Sequence, residues 1–195
     1  MTVSTAGAVF PTETVLSDGS VYRVVPVETG VRAIRAWVEH PWPMSPAQAL
    51  ALRDRLGWTS SPTNERMFTT DHDLEEKDAS FNTIEAGGDT RTVSSFHLSL
   101  TSRIPKDVMD EALPITGRAF DAYVEALTAV YGQGKRSRNR GVLSVKWTLP
   151  SDTLVDIGTV GRVVSVDVDS PAGNEAARGE AQYFDEIADE NDPAR

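Results

Sequence analysis

The chain has 195 residues, of which 39% are hydrophobic, no cysteine, and a formal net charge of −10. That length suits one domain with its own core, and the missing thiols exclude disulfides, thiolate metal sites and a cysteine nucleophile. The charge repels nucleic acid and anionic lipid and favours cationic partners.

Residues 1–20 carry no Lys or Arg, and Val9-Phe10-Pro11 is their only apolar knot. They are expected to form a disordered N-terminal segment with no secretion leader. Residues 21–188 are expected to form a single α+β domain, and 189–195 a frayed acidic tail. No stretch approaches the length of a membrane span, so the expectation is a cytoplasmic protein with no membrane partner.

Val21, Val24, Val25 and Val27 make a short β-branched lead-in. Val31, Ile34, Trp37 and Val38 share one face at helical spacing, and Pro41 and Pro43 stop that helix. A second helix opens with Ser45 as cap, Pro46 in the first turn and Gln48 completing a capping box. It buries Ala49, Leu52 and Leu56 and ends at Gly57.

The middle reads as β-structure, with strands at 66–70, 81–84 and 92–101, the last two joined by a turn at Ala86-Gly87-Gly88-Asp89. A helical region follows at 105–131, broken or kinked at Pro114, with Thr116 as a new cap. Leu143, Val145, Trp147 and Leu149 alternate with polar residues, as do Val164, Val166 and Val168, with a short strand at 154–157 between them. Ser170-Pro171 opens a last helix with a thin stripe of Ala177, Ala181, Phe184 and Ile187. The predicted order is αα-βββ-α-βββ-α. Consecutive strands on short turns favour an antiparallel or mixed sheet of about five to six strands, with helices packed mainly on one face.

Three charged groups stand out. Asp71, Asp73, Glu75 and Glu76 lie in an acidic connection, 71–78, suited to docking a basic partner. Asp167 and Asp169 leave one strand on the same face, beside Ser165. Lys135, Arg136, Arg138 and Arg140 put four cations into six residues, which read as a solvated loop or as a contact for an anion or an acidic partner. Trp42, between two prolines, is a candidate partner contact. Gly132-Gln133-Gly134-Lys135 lacks phosphate-loop spacing and follows a helix rather than a strand. His40, His72 and His97 are scattered, no nucleophile elbow is present, and neither the calcium-loop spacing nor any other metal-ligand spacing fits. No catalytic residue, metal site or cofactor is expected.

The segments Leu52-Arg53-Asp54-Arg55-Leu56-Gly57-Trp58, Val145-Lys146-Trp147-Thr148-Leu149 and Val163 to Pro171 together resemble small acidic proteins of actinobacteria. Some of those are suspected immunity partners of secreted toxins. The element order also resembles the type III secretion chaperone fold. The resemblance implies a protein that binds a cognate protein: an immunity protein first, a secretion or folding chaperone second. An enzyme of unidentified type is the third reading, and it rests on no resemblance.

Overall fold

The computed structural model describes residues 12–74, 77–139 and 141–190, the last ten by backbone alone. The elements run β1 (Glu13–Val15), β2 (Val21–Arg23), α1 (Val27–Val38), α2 (Pro46–Arg55), β3 (Thr59–Ser61), β4 (Asn64–Thr69), β5 (Ala79–Glu85) and β6 (Arg91–Ser99). A 3-10 turn (Lys106–Val108) leads into α3 (Met109–Tyr131), then β7 (Lys135–Asn139), β8 (Val142–Thr148), β9 (Leu154–Thr159), β10 (Val164–Asp169) and α4 (Pro171–Glu190).

Eight strands form one sheet in the order β3-β4-β5-β6-β10-β9-β8-β7, and every neighbouring pair is antiparallel. The sheet is two four-stranded meanders, β3–β6 after α2 and β7–β10 after α3, and the last strand of each pairs with the other at the centre. Short connections within each run make antiparallel neighbours the accessible pairing. β1 and β2 form a separate hairpin, and a bridge between Val24 and Thr101 ties it to the chain beyond β6.

Period-two alternation decides which face is core. Phe81, Phe96, Val168, Val155 and Trp147 lie opposite one another across five strands, and Ala79, Leu98, Val166, Ile157 and Val145 form the adjoining row. All ten are buried. Trp37 of α1 stacks on Phe96 with ring centroids 4.0 Å apart. From α3, Phe120, Tyr123 and Leu127 are buried, and Tyr123 Oη donates to the Val25 carbonyl at 2.9 Å. Each large apolar side chain so buried stabilises the fold by roughly 1.5–3 kcal/mol before the cost of ordering it.

The α+β class and the antiparallel sheet match the expectation, and the Ser45–Gln48 capping box forms at the start of α2. The order and strand count do not match. Residues 12–20, expected to be disordered, begin a hairpin in which Gly19 adopts φ 83° to close the turn. The expected strand at 66–70 is Asn64–Thr69, and β3 precedes it. β1 and β3 have three residues each, too few to show alternation. The cations at 135–139 form strand β7, not a loop. Every β7 residue is exposed, so no apolar alternation marks it, and pairing with β8 alone makes it a strand.

Pro114 does not end α3, which is continuous through it. It falls in the second turn, where the carbonyl it leaves unbonded belongs to exposed Asp110 and is open to water. Thr116 is therefore not a cap; its hydroxyl donates to the Ala112 carbonyl at 3.0 Å. In α4, Ser170 accepts from the Gly173 amide as a cap, but Ala177, expected in a buried stripe, is exposed. The side chains of Ala181, Phe184 and Ile187 lie outside the described residues, as do 1–11, with the Val9-Phe10-Pro11 knot, and the tail 191–195. α4 reaches Glu190, so the first two residues of the predicted frayed tail are helical. Among the described residues, no helix is long and apolar enough to cross a membrane.

Candidate functional site

The polar positions of the alternating strands come together on the sheet face opposite the core. One cross-strand row runs His97 (β6), Asp167 (β10), Asp156 (β9), Lys146 (β8), Lys135 (β7), each directly opposite the next. At about 4.8 Å per strand the row spans about 19 Å. His97 Nδ1 lies 2.8 Å from Asp167 Oδ1, and Lys146 Nζ lies 2.9 Å from Asp156 Oδ2. Asp156 Oδ1 is buried and has no hydrogen-bond partner.

Asp169 stands one row further along β10, on the same face. Burial raises its carboxyl above the usual aspartate value; the negative charge of Asp167 adds to this, Lys146 opposes it, and Asp156 adds again. Three carboxylates thus share the centre of the face with one ammonium and one imidazole. Beside the row, Ser165, Gly158, Ser144 and Ser137 also lie opposite one another. Their small side chains leave a groove of about 420 Å³ between the charged row and a rim that includes Val142 and Val160. Both valines are exposed, Val160 at 53%. Chemically this is an acidic, hydrogen-bonding floor with an apolar edge, suited to an incoming guanidinium or ammonium group.

The other predicted residues are placed elsewhere. Asp71 and Asp73 are exposed in the β4–β5 connection, where Asp71 pairs with His72 at 3.2 Å and Asp73 with Arg23 at 3.4 Å. Asp78, in the same acidic segment, turns inward and accepts from the Thr70 amide and hydroxyl at 2.8 and 2.6 Å. Burial raises its carboxyl above the ordinary value. Glu75 and Glu76 lie outside the described residues, as does Arg140. Lys135 ends the open-face row, whereas Arg136 and Arg138 share the opposite face with Val145 and Leu143.

Trp42 is half-buried against the core. It lies with Pro171 where two grooves meet, one of about 790 Å³ and one of about 680 Å³. The second also contains Pro41, Val130, Tyr131 and Leu149. Neither Trp42 Nε1 nor Tyr131 Oη has a hydrogen-bond partner, and both are buried. Burial, with the charge of Glu39, pushes the Tyr131 hydroxyl up to about 12.

Asp156, Lys146 and Tyr131 escaped the sequence reading. The first two occupy polar positions of alternating strands, and only the register sets them beside Asp167. Among the described residues, no group of three or more His, Asp or Glu side chains is arranged to hold a metal ion.

The profile of DUF6301, a family of unknown function, matches residues 28–170, from α1 to the end of β10. No curated protein and no solved structure matches the chain.

Proposed function

The chain belongs to DUF6301, and we propose that it is a cytoplasmic protein-binding protein that neutralises a cognate secreted toxin by covering a cationic surface of it. The observation that carries this reading is the open sheet face. Asp156, Asp167 and Asp169 gather there beside a groove, and one Asp156 oxygen is unpaired. A cation from a partner seated on this face relieves the mutual repulsion of the carboxylates. The net charge of −10 speeds encounter with such a partner.

The test is capture from native lysate with the wild-type chain and the triple variant Asp156→Asn, Asp167→Asn, Asp169→Asn in parallel, read by mass spectrometry. A stoichiometric protein with a cationic surface, held by wild type and lost from the variant, supports the reading. Growth rescue on co-expression with that protein then assigns inhibition. A partner held equally by both chains overturns the choice of surface.

A second reading is a secretion or folding chaperone. The aromatic and proline-lined grooves around Trp42 and Tyr131 favour it, since an unfolded segment offers apolar side chains to such a concavity. A partner lost on Trp42→Ala, but kept by the triple variant, selects it.

A further inference from the structure

β7 is the terminal strand of the sheet, and its outer edge has no strand partner among the described residues. The direction of its backbone groups follows from hydrogen-bond alternation. The Leu149 amide donates to the Thr153 carbonyl at 2.9 Å, which makes residues 147, 145 and 143 the ones bonded towards β9. Lys146, Ser144 and Val142 are then bonded towards β7, through Lys135, Ser137 and Asn139. The N–H and C=O groups of Arg136 and Arg138 are left pointing away from the sheet.

A bare edge invites pairing, and charge decides with what. A second copy paired along β7 would set Lys135, Arg136 and Arg138 against the same cations of its partner, and like charges directly opposite one another are destabilising. An acidic strand reverses the sign. Carboxylates at alternate positions fall opposite Arg136 and Arg138, and each planar guanidinium fork fits a carboxylate. Asp121 and Glu125 of α3 share a shallow cleft with Arg136, so incoming acids compete with them there. Arg138 lies beyond that cleft and is the stronger anchor.

We propose that β7 is a docking edge for an extended acidic segment of another protein, which joins the sheet as a further strand through the outward backbone groups of Arg136 and Arg138. The site is separate from the acidic row, because the two arginine side chains leave the opposite face of the sheet. It does not depend on the open-face reading.

The probe is a synthetic peptide of alternating glutamate and threonine, with a lysine–threonine peptide as control, titrated onto the full chain. The expected result is binding of the glutamate peptide alone, with slowed hydrogen exchange at the Arg136 and Arg138 amides. Arg138→Pro removes one outward donor and leaves the ladder to β8 intact, as proline is tolerated on an edge. The guanidinium is lost with the amide, so binding should weaken by more than about tenfold, the worth of one hydrogen bond alone. The double variant Arg136→Glu, Arg138→Glu should transfer preference to the lysine peptide. A glutamate peptide N-methylated on its pairing amides should not bind, and this control holds even if Arg138→Pro unfolds. No binding, equal binding of the methylated peptide, or amide protection that vanishes on dilution as a self-associated dimer separates would each overturn the proposal.

Discussion

Asp167 on β10 and His97 on β6 are directly opposed at the seam where the two meanders join, with Asp167 Oδ1 2.8 Å from His97 Nδ1. The carboxylate is an acceptor only, so the ring nitrogen is the donor. Both side chains are well exposed, at 39% for His97 and 53% for Asp167. An exposed pair of this kind contributes about 0–1 kcal/mol. Asp167→Asn should therefore leave the urea midpoint nearly unchanged while weakening capture of a cationic partner. A large loss of stability would show that the pair holds the seam together.

Trp37 lies at the centre of an aromatic cluster, stacked on Phe96 and in ring contact with Phe68 and Phe81. It is fully buried. Trp37→Ala should cost about 3–5 kcal/mol, from lost transfer energy and an unfilled cavity. Chemical denaturation measures this, and a cost under about 1 kcal/mol would mean that the core closes over the gap.

Gly30 in α1 faces the Tyr123 ring so closely that an added Cβ would collide with Tyr123 Oη and its neighbouring ring carbons. Gly30→Ala should therefore destabilise the protein despite the better helix propensity of alanine, by about 1–3 kcal/mol of overpacking. The same displacement breaks the bond from Tyr123 to the Val25 carbonyl. Tyr123→Phe, which removes the closest atom, should partly rescue Gly30→Ala. A double-mutant cycle measures this coupling, and strict additivity would place the cost elsewhere.

Asp78 is buried, and its carboxyl is raised above 3.8 chiefly by desolvation, against the lowering effect of its bonds to Thr70. The folded state therefore holds this proton more tightly than the unfolded chain. Its contribution is most favourable below 3.8 and falls as pH rises from there through the raised folded value. Asp169 acts in the same direction. Asp78→Asn should flatten that part of the stability profile, followed by thermal melts from pH 3 to 7. An unchanged slope would show that Asp78 does not titrate in that window.

Legibility along the chain followed apolar alternation. Strands β8 and β10 each present one buried row, and the rows could be read from Val145 and Trp147, and from Val164, Val166 and Val168. α2 was legible through Ser45, Pro46 and Gln48, because a capping box is a local hydrogen-bond pattern. β7 was not legible, because an edge strand exposed on both faces has no burial to write into its side chains. Pro114 was misread because the cost of proline depends on whether the carbonyl it strands can reach water, and Asp110 is exposed.

The sequence by itself determined the class of the protein: cysteine-free, acidic, α+β, with strands in two consecutive runs and Asp167 and Asp169 on one face of a single strand. These follow from composition and from periods of two and 3.6 residues, which are local. The tertiary structure alone decided that β6 and β10 pair at the centre, that Asp156 and Lys146 stand beside Asp167, and that Arg136 and Arg138 turn their backbone groups outward. Those facts depend on strand order and register, which are set by the fit of whole rows of side chains against α1 and α3, over separations that no local pattern records.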